Sequence, residues 1–486
     1  MTAPERSIDD LVAATTIAGE RWAATESGER RQILHAVADA LDAAADHLIP
    51  IAQDESHLPR PRLTGELTRT TFQIRLLADA AAAGEHLDVR IDHADPQWPM
   101  GAPRPDLRRT SVPVGPVLVF GASNFPFAFS TAGGDTASAL AAGCPVIYKA
   151  HHGHPALSDA TATVVNDALD TAGAPAGLFS TIHSEADGRA VLAHPDLKAA
   201  AFTGGIPGGR ALFDIAQARP EPIPFYGELG SVNPVFVTES AASARAQEIV
   251  DGFLGSFTLG QGQFCTKPGI LLVPADSAIP DLLRDAALPP GHALLNAGIA
   301  RGHSKVRDGL TGHPGVRLLT GGGPETDPPA PTLLATDSAT LITGFDDLVV
   351  ECFGPTALVV TYADTSDLLR IARRLHGQLT ATLVAEPDDA IVGPLTTILT
   401  RKAGRILWNQ WPTGVSATYA QQHGGPYPAS TTPGTTSVGT AALSRFVRAV
   451  AWQGFPQQLL PGELRDDQSV PAPRRVNGVH DPDTLR

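Results

Sequence analysis

Val117-Leu118-Val119-Phe120-Gly121 and Val146-Ile147-Tyr148-Lys149 are the segments on which the fold turns. Each is a short apolar run that stops abruptly, the first at Gly121 and the second at Lys149. Pro155–Thr171 then reads as a helix stopped by Gly173, and Phe179–Ile182, Ala199–Thr203 and Val235–Val237 continue the series. Strands recurring about every 30 residues with helices between them imply right-handed crossovers and a parallel sheet. After residue 240 the alternation restarts with Ile270–Val273, Ala357–Thr361 and Leu379–Val384, so two α/β domains are expected.

Outward from these strands, Ile33, Leu34, Val37 and Leu41 share one face of a helix over 30–48, with Ser27 as its cap and Glu29 in its first turn. Between 88 and 113, Pro96, Pro99, Pro103 and Pro105 break any helix and lead into the extended Arg108–Val112, a ribbon that leaves the main body. The Pro/Gly/Thr-rich stretch 424–440 reads as a long functional loop or crossover, and the polar chain from Pro471 as a loose tail. At 486 residues, 43% hydrophobic and 18% charged, the chain is long enough for two to four domains and too apolar for global disorder. Its net charge of −15 argues against nucleic acid, which selects basic surfaces. No run reaches the roughly 18–20 apolar residues of a membrane helix. Met1-Thr2-Ala3-Pro4-Glu5-Arg6 shows no leader pattern, so a cytoplasmic protein without membrane partners is expected.

Gly204-Gly205-Ile206-Pro207-Gly208-Gly209 follows the strand Ala199–Thr203 and opens a helix. Such a turn either presents backbone N–H groups to a phosphate or is simply a tight turn. No intact G-x-G-x-x-G, Walker or H-E-x-x-H motif occurs. His151-His152-Gly153-His154 is crowded, with no carboxylate or cysteine at ligand spacing, so no metal is expected. The three cysteines form no disulfide framework and separate by context. Cys144 enters an apolar strand and reads as a buried filler. Cys352 adjoins Glu351, whose charge raises a thiol pKa. Cys265 lies among Gly260, Gln261, Gly262, Gln263 and Thr266 with Lys267 two positions on, a setting that favours a thiolate.

Gly121-Ala122-Ser123-Asn124-Phe125-Pro126, Lys149 at a strand end, Phe202-Thr203-Gly204-Gly205, Glu228-Leu229-Gly230, Gly262-Gln263-Phe264-Cys265 and Glu351-Cys352-Phe353-Gly354-Pro355 occur in that order. From about residue 10 to about 465 the chain resembles the aldehyde dehydrogenase superfamily. His423-Gly424-Gly425-Pro426-Tyr427-Pro428-Ala429 and Thr436-Ser437-Val438-Gly439 are similar to a narrower branch. That branch holds NADP-preferring ketoglutarate-semialdehyde (2,5-dioxovalerate) dehydrogenases and some long-chain aldehyde dehydrogenases. The resemblance implies a Rossmann-type cofactor domain over 1–227 with a returning segment near 430–460, and an α/β catalytic domain over 228–425. It further implies a β-ribbon oligomerisation arm over 88–112, a tail over 461–486, and a homodimer or homotetramer.

By the same resemblance Cys265 attacks the aldehyde, forming a thiohemiacetal and then a thioester. Asn124 and the Cys265 backbone N–H are the implied oxyanion donors, and Glu228 the base that activates water. Glu351 is implied to hold the nicotinamide ribose with Phe353 beside it. Lys149 is implied to reach the adenosine ribose, next to the turn of Gly204 and Gly205. His152 stands where NAD-preferring members commonly carry a Glu, which favours NADP and leaves NAD possible. Gly205 replaces a common Ser. Pro207 stands where some NADP-using relatives place an Arg, a contribution that Arg210 would have to supply. The expected reaction is NADP-dependent oxidation of an aldehyde to a carboxylic acid, with 2,5-dioxovalerate giving 2-oxoglutarate. A medium- or long-chain fatty aldehyde dehydrogenase, a CoA-acylating enzyme (against which Glu228 argues) and a non-catalytic relative are the alternatives. A carboxylate-bearing substrate needs a cation or several donors. Gln261, Gln263 and Thr266 are the polar candidates, Phe125, Phe129 and Phe264 would suit an apolar tail, and no arginine can be placed from sequence.

Overall fold

The computed structural model describes residues 7–322, 326–467, 470 and 472–481. Its first sheet sets Phe179–Ile182, Val146–Lys149, Val117–Phe120, Ala199–Thr203 and Phe225–Glu228 side by side, all parallel. Counted along the chain, these strands stand in the order 3-2-1-4-5, a doubly wound arrangement that binds ligands at the carboxyl ends of its strands. Both faces are covered by helices, which is why the strands read as unbroken apolar runs. Val117 and Val119 enter one core, beneath the helices Ser27–Ala43, Arg60–Ala83 and Pro155–Thr171. Leu118 and Phe120 enter the other, with Val191 and Leu212 from the helices Glu185–Ala193 and Ile206–Gln217. Ile33, Leu34, Val37 and Leu41 are all buried, but Glu26 occupies the cap position and Ser27 is already helical.

The second sheet has seven strands in the order Arg317–Gly321, Thr332–Asp337, Thr356–Tyr362, Ile270–Pro274, Val235–Val237, Gln378–Val384 and Ala403–Trp408. Only Arg317–Gly321 runs antiparallel to its neighbour. Val235–Val237, which the sequence pattern attached to the first series, belongs here. The last strand of the first sheet is instead Phe225-Tyr226-Gly227-Glu228, whose glycine and terminal acid disguise it as a turn.

A third sheet joins Val447–Gln453, Leu107–Pro113, Val89–Asp92, Arg474–Val476 and Val479–His480. The ribbon supplies two of its strands. The chain after Pro471, expected to be loose, returns Arg474–Val476 in parallel beside Val89–Asp92; Pro471 itself lies outside the described residues. Of the segment near 430–460, Leu443 and Phe446 sit in the core of the first domain, whereas Val447–Gln453 pairs with Leu107–Pro113. Among the described residues no helix is long and apolar enough to cross a membrane.

Candidate active site

Residues from the first two sheets and their connections line a cavity of about 620 Å³, among them Asn124, Gly204, Gly205, Glu228, Cys265, Glu351 and Phe353. Cys265 reaches it on a strained loop. Gly260, Gln261 and Gly262 all have positive φ, and a Cβ on Gly262 would lie 2.2 Å from the Gly354 carbonyl oxygen. The loop is fastened from below by Asn233, whose amide donates to the carbonyls of Cys265 and Lys267 at 2.8 and 2.9 Å. The Asn124 amide donates to the Gln263 carbonyl at 3.2 Å, which sets it beside the thiol. Among the described residues, none accepts the Cys265 backbone N–H. Glu228 ends the strand Phe225–Glu228, and the 424–440 segment runs along that strand's free edge. There Thr431 N donates to Gly227 O and Leu229 N to Ala429 O. This crossover brings His423 and Ser437 against the carboxylate.

The result is a chain of contacts. His423 Nε2 lies 3.5 Å from Cys265 Sγ and 2.9 Å from Glu228 Oε1, and Ser437 donates to Glu228 Oε2 at 2.6 Å. Burial pushes the Glu228 carboxyl upward, yet the His423 ring and hydrogen bonds from His423, Ser437 and Cys265 bring it below its ordinary value. Burial raises the Cys265 thiol well above its ordinary value, and the Glu228 and Glu351 carboxylates add to that. The resting thiol is therefore protonated, contrary to the thiolate that Lys267 suggested. Lys267 turns away. Its Nζ is buried and donates to the carbonyls of Cys352, Gly354 and Thr356 at 2.6, 3.1 and 2.6 Å. The thiol must lose its proton to a neighbouring base, and His423 and Glu228 are the bases within reach.

On the far side of the cavity, Gly205 caps the helix Ile206–Gln217 without a side chain, leaving backbone N–H groups at the helix start open to an anion. Glu351 is raised to about 7 by burial, with Lys267 opposing in part. Its carboxylate lies so close to Gly230 that a Cβ there would sit 2.5 Å from Oε2. An anion-accepting helix start at one end and a buried carboxyl with Phe353 at the other fit a dinucleotide's phosphates and nicotinamide ribose. Lys149 and His152 do not line this cavity. Lys149 is buried at the end of its strand with Nζ on the Ala150 carbonyl at 2.9 Å. His152 is exposed and stacks on His151 at 4.3 Å, and His151 is the one that lines the cavity. Arg210 is exposed and paired with Asp214 at 2.8 Å. Within the histidine run, His154 is buried and contacts Ala122 O and Ser158 Oγ at 3.0 and 3.2 Å. Instead it is Glu228, Cys265 and His423 whose ligand atoms gather within 4.8 Å of one another.

Sequence reading gave His423 no role, although it opens the segment that marks the branch. Nothing in a lone His before Gly-Gly-Pro says that it will meet a glutamate 195 residues earlier. Ser437 and Asn233 were missed for the same reason.

A family model described as the aldehyde dehydrogenase family matches residues 1–448. The chain is 41% identical to an alpha-ketoglutaric semialdehyde dehydrogenase of Acinetobacter baylyi, over 97% of this chain and 91% of that one. It is 44% identical to alpha-ketoglutaric semialdehyde dehydrogenase 2 of Azospirillum brasilense, over 92% and 87%. Among solved structures, gamma-glutamyl-gamma-aminobutyraldehyde dehydrogenase of Burkholderia cenocepacia shares the fold at a TM-score of 0.78 and 21% identity, over 92% and 88% of the two chains. A 3,6-anhydro-L-galactose dehydrogenase in complex with NAP does so at 0.75 and 20%, over 92% and 91%. The chain belongs to the aldehyde dehydrogenase family, and it is an aldehyde-oxidising oxidoreductase that works with NAD or NADP.

Proposed function

We propose that the protein oxidises 2,5-dioxovalerate (alpha-ketoglutaric semialdehyde) to 2-oxoglutarate with NADP, through a thioester on Cys265. The observation that carries the chemistry is the convergence of Cys265, Glu228 and Asn124 on the cavity, with His423 against the thiol and the carboxylate. The relatives at 41% and 44% identity bear the name of that substrate. Glu228, a hydrogen-bond partner of the thiol that the His423 Nε2–H holds ionised, takes the thiol proton as Sγ adds to the aldehyde carbon and releases it to solvent before the second step. The new oxyanion meets the Asn124 amide and the Cys265 N–H, which are in place before it forms. A bound nicotinamide would supply the hydride acceptor that turns the thiohemiacetal into a thioester. Glu228, ionised below its ordinary range, removes a proton from water, whose oxygen attacks the thioester; carboxylic acid departs and the thiol is restored. The anion-accepting start of Ile206–Gln217, Glu351 and Phe353 would hold the cofactor. The carboxylate-free position at His152, with Lys149 nearby in the chain, supports NADP over NAD because no carboxylate there repels a 2′-phosphate.

Initial rates of NADPH formation with 2,5-dioxovalerate, succinate semialdehyde and hexanal test this. Preference for 2,5-dioxovalerate and loss of turnover in Cys265→Ala are expected. A strong preference for hexanal overturns the substrate, and turnover by Cys265→Ala overturns the mechanism. We also infer a homodimer or homotetramer. Val447–Gln453 is a seven-residue edge strand of the third sheet, and pairing it with a second copy removes an open edge. Light scattering at the mass of one chain would overturn that.

A further inference from the structure

Arg62, Glu66 and Arg69 recur at helical spacing on Arg60–Ala83, so they share one face, and that face meets the segment Phe125–Phe129. Glu66 is buried and holds the segment in place. Its Oε1 accepts the Phe127 and Ala128 backbone N–H groups, each at 2.9 Å, and its Oε2 accepts Arg62 Nη1 at 2.6 Å. The Arg62 guanidinium lies 4.4 Å from the Phe125 ring centre and 5.6 Å from that of Phe264. The Arg69 guanidinium lies 5.2 Å from Phe129 and 5.6 Å from Phe125. Phe264 precedes Cys265 in the chain, and the Phe129 ring centre is 6.3 Å from that of His423. Three aromatic rings and two guanidinium groups thus adjoin the thiol on a side that the cofactor cavity does not touch, since none of them lines it.

The two arginines differ. Arg62 is partnered by Glu66, whereas Arg69 Nε and Nη2 are buried and have no hydrogen-bond partner among the described residues. An arginine stays charged at every working pH, so these are donors of a permanent cation left without an acceptor. Such a group is costly unless something fills it. A carboxylate matches it, because two oxygens meet the guanidinium fork in one plane. Arg69 is also near enough to the reacting groups for the charges of Cys265 and Glu228 to act on it.

We infer that Arg69 is the specificity-determining residue that receives the carboxylate at the far end of the substrate, with Arg62 as a second positive charge and Phe125, Phe129 and Phe264 flanking the carbon chain. The inference rests on the proposal that the substrate is a carboxylate-bearing aldehyde. An uncharged aldehyde leaves the Arg69 donors unpaired on binding, and a site built around a polar partner discriminates strongly against ligands lacking it.

The test is steady-state kinetics of the full-length enzyme with 2,5-dioxovalerate, succinate semialdehyde and hexanal, for the wild type, Arg69→Met and Arg69→Lys. In Arg69→Met the kcat/KM ratio of 2,5-dioxovalerate to hexanal should fall about 10- to 100-fold, the range of a lost charge-assisted pair. Most of that fall should appear in KM. Arg69→Lys keeps the charge without the fork, should recover part of the ratio, and serves alone if Arg69→Met does not fold. Competitive inhibition by 2-oxoglutarate should weaken in parallel. A wild type with no preference for the carboxylate-bearing aldehydes defeats the substrate reading itself. A wild-type preference that survives unchanged in both variants defeats the assignment of Arg69 and leaves the substrate reading standing.

Discussion

Replacing His423 tests the charge state of Glu228 in both halves of the reaction. In the wild type, burial drives the Glu228 carboxyl upward and the His423 ring, with hydrogen bonds from His423, Ser437 and Cys265, more than offsets it. His423→Ala removes the first of those opposing partners and leaves Ser437 as the strongest remaining donor, at 2.6 Å. A hydrogen bond to a charged group contributes about 1.5–3 kcal/mol, and one pKa unit corresponds to about 1.4 kcal/mol. The Glu228 carboxyl should therefore rise by about 1–2 units. Since thioester hydrolysis needs the carboxylate, its acid limb should move to higher pH by the same amount. Thiol attack should shift in the same direction, because the carboxylate that takes the thiol proton is the same group. His423→Gln sharpens the test. Its amide N–H can still donate to Glu228, so the acid limbs of thiol attack and of hydrolysis should both return toward the wild-type position. Rapid-quench or stopped-flow bursts of NADPH formation report attack and hydride release, while steady-state turnover below pH 7 reports hydrolysis. An acid limb that does not move in His423→Ala refutes the electrostatic coupling. A burst whose pH dependence is unmoved in His423→Ala refutes proton transfer from the thiol to Glu228.

Glu351 is raised to about 7, so between its ordinary value and 7 the folded chain holds a proton that the unfolded chain has lost. Stability falls as pH rises through that window and stays lowered above it. Glu351→Gln should accordingly raise Tm relative to the wild type at pH 8 and not at pH 5, and calorimetry showing the same shift at both pH values would refute the burial argument. Lys267→Met deprives three backbone carbonyls of their shared donor, a loss of about 3 kcal/mol or more. A lower Tm and weaker cofactor binding by fluorescence titration should follow, and an unchanged Tm would count against it. The ligand atoms of Glu228, Cys265 and His423 also gather within 4.8 Å of one another, a donor set that Zn²⁺ accepts. Added Zn²⁺ should inhibit the enzyme, chelator should restore it, and equal sensitivity in His423→Ala would place the inhibition elsewhere.

What the sequence disclosed depended on how local the cause was. Val117–Phe120 and Val146–Lys149 could be read directly, since burial on both faces leaves an uninterrupted apolar run. Phe225–Glu228 escaped because a glycine and a buried acid occupy half of it, where strand-forming residues would have marked it. The loop Gly260-Gln261-Gly262 before Cys265 carried its signal in its glycines, needed for three successive positive φ values. The residues around that thiol carried none. Lys267, two positions from Cys265, invites an electrostatic role by proximity in the chain, yet its stem runs under the loop and its charge is spent on carbonyls near 352–356. The influences on the thiol come from Glu228, Glu351 and Arg69, which are 37, 86 and 196 residues away along the chain. Arg69 is the clearest case. At helical spacing with Glu66 and Arg62 it looks like one more solvated charge on an exposed face, the usual meaning of such a pattern. Only the packing of that face against Phe125–Phe129 turns it inward and strips it of water. Sequence spacing thus locates residues that bond within their own element or turn. Those whose partners lie far away along the chain become visible only when the crossover at 424–440 and the helix Arg60–Ala83 are set against the thiol.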